Sequence, residues 1–270
     1  MRPMAGGASD FWRVYDAVAA GECAERVRQL IEECAQGSDE RRAQAVNTPK
    51  AAAAAAGESR EDETPLETPL QATCRQKRGD LVGALVEAGA DVSGIFEGRM
   101  TPLAVCIMYG QEESVRALLD AGNDPLEMIW WVWVWGDNAD NKFCTAAHFC
   151  LAPMRVGSSG WWYGPPQLGC FEVLLHKGGA DVANARDWRG ETPFFWLAKL
   201  SLGANDEKAA CDLLVAAGAR LSGVFDRDGS TPLTIAAVSA NARLVRLLID
   251  EAGAPLDGGI PSNSFTALHW

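Results

Sequence analysis

The tripeptide Thr68-Pro69-Leu70 returns as Thr101-Pro102-Leu103, Thr192-Pro193-Phe194 and Thr231-Pro232-Leu233. Each copy closes downstream on an apolar pair containing leucine, followed by Gly-Ala or Gly-Asn. A fixed internal period of this kind builds the chain from supersecondary units, each hiding its apolar face only against its neighbours. That fixes the architecture before any single residue is considered, and it favours binding over catalysis.

The best-formed copy runs Thr101-Pro102-Leu103-Ala104-Val105-Cys106, then Gly110, then Val115, Leu118, Leu119 and Gly122. The Thr101 hydroxyl can accept an orphan backbone N–H at a helix start, and Pro102 supplies a pre-set φ where no donor is needed. Gly110 and Gly122 suit the left-handed residue that ends a helix, a conformation costing about 1–2 kcal/mol for a residue with a Cβ. Between them Val115, Leu118 and Leu119 stand at i, i+3 and i+4, the apolar stripe of a second helix packed antiparallel to the first. Thr68 and Thr101 are 33 residues apart, and Thr68 to Gly89 and Thr101 to Gly122 both span 21.

These residues resemble the ankyrin repeat family, whose unit of about 33 residues opens on Thr-Pro-Leu-His. The likeness runs from Thr64 to Trp270. Its most diagnostic pieces are Asp187-Trp188-Arg189-Gly190-Glu191-Thr192-Pro193 and Asp226-Arg227-Asp228-Gly229-Ser230-Thr231-Pro232, which match the family's Asp-x-x-Gly-x-Thr-Pro turn. The resemblance implies an all-α fold, a solenoid of stacked antiparallel helix pairs with protruding β-turn loops.

Repeats are expected to start near Thr68, Thr101, Thr145, Thr192 and Thr231, with a C-terminal stub at Thr266, so that 64–270 forms the array. The third, opening at Thr145-Ala146-Ala147-His148, is longer than the pattern by 13 residues assigned to Ala152–Gly169. The fourth is longer by about five near Ser201–Asp206. Residues 1–34 place Val14, Ala17 and Val18, then Val27, Leu30 and Ile31, on either side of Gly21. They read either as a degenerate capping repeat or as an unrelated helix pair. Residues 35–63 break the pattern with charged runs around the alanines Ala51–Ala56, and are expected to be a flexible insert. At the other end, the stub at Thr266 is expected either to continue as a further repeat or to tuck in as an imperfect cap.

Composition points to an intracellular module, cytoplasmic or nuclear. With 24 Lys and Arg against 36 Asp and Glu the net charge is −12, which repels phosphate backbones and anionic lipid. Neither nucleic acid nor membrane is an expected partner. No apolar run reaches the roughly 18 residues of a membrane span, and Met1–Asp10 lacks a signal-peptide core. Cys74, Cys106, Cys150 and Cys211 fall where the repeat wants a small apolar side chain, and are expected to be reduced core residues. Cys144, His148 and Cys150 are spaced for a metal, but no CxxC pair accompanies them and His148 sits where the family places its histidine. Neither metal nor cofactor is expected. In the family that histidine ties neighbouring repeats together. Here Gln71, Ala104, Phe195 and Thr234 stand in its place and only His148 and His269 retain it, so most interfaces are expected to rely on apolar packing.

For catalysis the inventory is thin: the chain has no GxSxG, GxxxxGK[ST] or HExxH motif. A non-catalytic scaffold or adaptor binding another protein is the expected role, ahead of an inhibitory or targeting subunit masking a basic partner surface and of an enzyme built on the inserts. A monomer is expected unless the C-terminal end pairs. By the resemblance, partners meet the loop tips Trp188, Arg189, Glu191, Arg227, Asp228 and Ser230, and the helix-end residues Met108 and Tyr109. Trp131, Trp133 and Trp135 alternate about Val132 and Val134 as in an extended β-finger. They read either as a partner patch or as rings packed against the insert that carries Trp161, Trp162 and Tyr163.

Overall fold

In the computed structural model the residues described are 8–48, 50–51, 66–94, 100–130, 143–152, 154–157, 160–200, 202–222, 226–250, 253–256, 259–260 and 265–269. They divide into two units, Met1–Asp124 and Pro125–Trp270.

The first unit contains α1 (Ala8–Ala19), α2 (Ala24–Ala35), α3 (Asp39–Asn47), a short antiparallel pair β1 (Lys50–Ala51) and β2 (Leu66–Glu67), and then α4 (Pro69–Arg75), α5 (Gly79–Glu87), α6 (Pro102–Met108) and α7 (Glu112–Asp120). The threonine starts behave as their chemistry requires. Thr68 accepts from the Gln71 amide while the Gln71 side chain accepts from the Thr68 amide, and the Thr101 hydroxyl accepts from Ala104 N at 3.2 Å. Helix α4 packs on α6 and α5 on α7, so the second-helix leucines Leu85 and Leu118 are sealed from solvent. Polar links tie the layers as well. Buried Glu67 accepts from the Tyr15 hydroxyl at 2.7 Å and from Arg75, and the Gln111 side chain donates to the Cys74 carbonyl.

Helix α3 overturns the expectation of a flexible insert for 35–63 over its first part. Although polar, it fully buries Ala45 and Val46, and Arg42 reaches back to Glu32 on α2 through two bonds of 3.0 Å. Its last residue, Asn47, donates to Ala43 O and Gly89 O at 2.9 and 2.8 Å and accepts from Asp91 N at 2.7 Å. Asn184 makes the same three bonds in the second unit, to Ala180 O, Gly218 O and Arg220 N. Both asparagines thus staple one helix end to the turn that closes the following helix pair. Of the alanine run, Ala51 lies in β1 and Ala52–Ala56 lie outside the described residues.

The second unit begins with an antiparallel pair, β3 (Met128–Trp130) on β4 (Phe143–Thr145); Trp131, Trp133 and Trp135, where an extended finger is expected, lie outside the described residues. Then come α8 (Ala146–Leu151), a hairpin of β5 (Met154–Gly157) and β6 (Gly160–Tyr163), α9 (Leu168–Ala183), α10 (Pro193–Lys199), α11 (Ala204–Ala216), α12 (Pro232–Val238) and α13 (Ala242–Asp250). The pair β7 (Gly259–Ile260) and β8 (Phe265–Thr266) leads into a single 3₁₀ turn at Ala267–His269. Helices α8, α10 and α12 pack in succession, each with its partner α9, α11 or α13, and Leu174, Leu214 and Leu248 are fully buried.

The irregular repeats absorb their extra residues differently. In the third, the surplus forms the β5–β6 hairpin. In the fourth, it lengthens the second helix, which has 13 residues in α11 against nine in α5 and α7. Thr192 departs from the other starts: its buried hydroxyl has no bonding partner and makes no cap.

Near its end α9 turns at Gly179, which has φ 51° and ψ −135°. A Cβ on the preceding Gly178 would clash with Cγ2 of Val182, a fully buried and branched side chain. Gly178→Ala is therefore expected to lower unfolding free energy by about 1–3 kcal/mol in denaturant titrations. An unchanged midpoint would show that Val182 can swing clear.

Candidate functional site

Two consecutive loop tips in the second unit are built alike. In Asp187–Thr192 the Asp187 carboxylate accepts from the amides of Arg189 and Glu191, both at 2.9 Å, while Asp187 N donates to Glu191 O at 2.9 Å. Gly190 supplies the left-handed step, φ 79°, that lets the chain return. In the next tip Asp226 accepts from the amides of Asp228 at 2.9 Å and Ser230 at 2.8 Å, and Gly229 also has φ 79°. The aspartates thereby replace the ladder that such short turns lack. The tips are also joined laterally: Trp188 N donates to Phe143 O on β4 at 3.1 Å, and Arg227 N donates to Arg189 O at 2.9 Å.

This geometry sorts the expected contact residues. Arg189, Arg227 and Asp228 are exposed and Trp188 is half-buried, with the Arg189 guanidinium carbon 5.7 Å from its ring centre. Glu191 and Ser230 do not belong with them. Both are buried, because the residue before the threonine folds under the aspartate as its amide bonds to the carboxylate. In the first unit Tyr109 is exposed, with Lys77 Nζ 5.6 Å from its ring centre, and Met108 is half-buried.

Beneath the first tip, Glu191 meets Lys199 from the end of α10 and Arg189 at 3.4 Å; Arg189 also reaches Asp228 at 3.3 Å. Burial pushes the Glu191 carboxyl above its usual range, and the Lys199 ammonium opposes that shift. Trp196 on α10 donates its indole N–H to the second oxygen of Asp187 at 2.9 Å, so the turn is pinned to the helix that follows it. Between turn and helix lies a cavity of about 280 Å³, walled by Trp188, Trp196 and Leu200 and edged by Arg189, Glu191 and Lys199. A larger groove of about 700 Å³ runs past Asn184, Arg186 and Arg220, but its described lining carries no aromatic ring. Sequence reasoning missed Trp196 and Lys199. Their signal was present as positions four and seven after Thr192, one helical turn apart on the first helix of the repeat.

His148 is sealed in the core. Thr145 N donates to its Nδ1 at 3.3 Å, which places the proton on Nε2, and Nε2 donates to Glu191 O in the next repeat at 3.0 Å. The imidazole packs edge-on to Trp196 with ring centres 5.2 Å apart, and burial pulls its pKa down to about 4. Both nitrogens are spent on structure, so His148 offers no lone pair to a metal beside Cys144 and Cys150. Those two thiols are pushed up by burial. Cys74, Cys106, Cys150 and Cys211 are buried and outside any disulfide, as their repeat positions predict.

Gln71 modifies the expectation that only histidine links repeats. Its Oε1 accepts from Thr68 N at 2.6 Å while its Nε2 reaches Gly94 O at 3.5 Å, a longer version of the connection His148 makes. Thr234 bonds only within its own turn.

Comparison with known proteins agrees with this geometry. The ankyrin repeat family model matches residues 228–258. Among solved structures, the chain is similar to the ankyrin repeat domain of Bcl-3, described as a unique member of the IkappaB protein family. The TM-score is 0.64 at 23% identity, over 94% of this chain and 91% of that one. No curated protein sequence matches. The fold is therefore that of an ankyrin repeat domain, and residues 228–258 of the second unit match the family's repeat.

Proposed function

We propose that this chain is a non-catalytic protein-interaction module, a scaffold or adaptor that holds a protein partner through the tips at 187–191 and 226–230. The observation that carries this reading is the construction of the tips. Each is locked by a buried aspartate and joined to the next, so Trp188, Arg189, Arg227 and Asp228 are presented with little conformational freedom left to lose on binding. Tryptophan and arginine are the side chains that most often dominate binding energy. An intracellular setting fits buried cysteines that form no disulfide among the described residues. Among the described residues, no helix is long and apolar enough to cross a membrane.

The net charge of −12 favours a second reading, an inhibitory or targeting subunit that covers a basic partner surface. The two separate on salt: masking by charge gives an affinity that falls steeply with ionic strength, whereas a tip-centred contact built on Trp188 does not. Proximity labelling with the whole chain supplies the partner, and surface biosensing with that partner supplies the test. Trp188→Ala is expected to weaken binding by about 2 kcal/mol or more. Equal affinity of the two forms would remove the tips from the interface.

A further inference from the structure

We propose that the 280 Å³ cavity under the 187–191 tip receives a short acidic and apolar segment of the partner. A phenylalanine or leucine would seat against Trp188 and Trp196, with a neighbouring carboxylate facing Lys199 and Arg189. This rests on the interaction-module reading and adds to it the chemistry of the partner.

The argument is one of charge order. The Glu191 side chain is 2% exposed, whereas those of Lys199 and Arg189 are 33% and 44% exposed. An approaching segment therefore meets two cations first; of the two buried carboxylates below them, Glu191 is paired with both and Asp187 is taken up by the Arg189 and Glu191 amides and the Trp196 indole. A basic residue would face repulsion before reaching a carboxylate that has no charge left to offer, while an acidic one finds unused N–H groups on an ammonium and a guanidinium. Asp228 competes for Arg189, but at 66% side-chain exposure and 3.3 Å it is easily displaced. On a chain of net charge −12 the more accessible charged side chains of this pocket's lining are its two cations. Its walls of two indoles and a leucine supply the apolar contact that charge alone lacks.

The test uses the full chain with its tryptophans ¹⁵N-labelled, titrated with two short synthetic peptides that share a central Phe-Leu. In one peptide the flanking residues are Glu and Asp, in the other Lys. The acidic peptide is expected to move the indole signals of Trp188 and Trp196 and to bind about tenfold tighter than the basic one. The paired change Glu191→Gln with Lys199→Gln, which removes one of the two cations without stranding a buried carboxylate, is expected to reduce that preference. Should the pair fail to fold, Arg189→Gln at an exposed position is expected to reduce the preference in the same direction. Silence of both indoles, equal binding of the two peptides, or an unchanged preference in the variants overturns the proposal. The outcome is separable from the broader reading: if Trp188→Ala weakens the natural partner while the acidic peptide ignores the pocket, the module stands and this assignment falls.

Discussion

Leu118→Ala is expected to cost about 2–5 kcal/mol of unfolding free energy, and Trp188→Ala less than about 1. Leu118 is wholly buried on α7, which packs on α5 and α6. Truncation there removes dispersion contacts from helices on two sides and leaves a cavity that short, closely stacked helices cannot close without shifting a neighbouring repeat. Because each unit is stabilised only through its neighbours, the loss spreads to the interface with α5. Trp188 is half-buried at a tip whose shape is held by Asp187 and Gly190, so removing the indole leaves those bonds intact. Denaturant titration of both variants checks the ranking, and the reverse order would contradict the assignment of core and surface.

Acid is expected to loosen the second unit through His148. The imidazole is neutral and fully buried, with its pKa drawn from the ordinary 6.5 down to about 4. The unfolded chain therefore takes up its proton first as pH falls. The stabilising contribution is complete above about pH 6.5 and is lost progressively toward pH 4, at about 1.4 kcal/mol per pH unit and about 3 kcal/mol in all. Glu191 acts with the opposite sign, since its raised pKa favours the folded state at low pH, so the histidine must be isolated by comparison. His148→Gln provides that comparison, because glutamine at the matching position, Gln71, already makes both the inward and the forward bond. Urea midpoints measured between pH 7.5 and 4.5 are expected to fall more steeply for the natural chain than for the variant. Parallel slopes would mean that His148 does not carry the acid sensitivity.

What could be read in the sequence was what local chemistry dictates. Thr-Pro starts, the i, i+3, i+4 stripes and the Asp-x-x-Gly turn each act within one or two helical turns, and they fixed the helix pairs and the exposed Arg189, Arg227 and Asp228. Helix α3 was not legible because it is stabilised from outside: its sequence is mostly polar, and only two small side chains and the Asn47 staple commit it to the fold. Glu191 and Ser230 were misplaced for a related reason. In a turn of four or five residues, one side chain must point inward, and which one depends on the aspartate's bonds to amides two and four residues on. The pocket was hidden because its walls come from a turn and a helix whose mutual position is set by the Trp196–Asp187 bond, a pairing nine residues apart with no periodic signature.

The central claim is that the tips are rigid platforms on stacked helix pairs. Hydrogen exchange at the amides of Glu191 and Ser230 tests it most directly. Both lie in loops, yet both donate to a buried aspartate. They are expected to exchange about a hundredfold or more slower than free peptide, in the range of the helical amides around them. Exchange at the rate of an unstructured chain would contradict the account, because loops that open freely could not present Trp188 and its neighbours as a preformed surface.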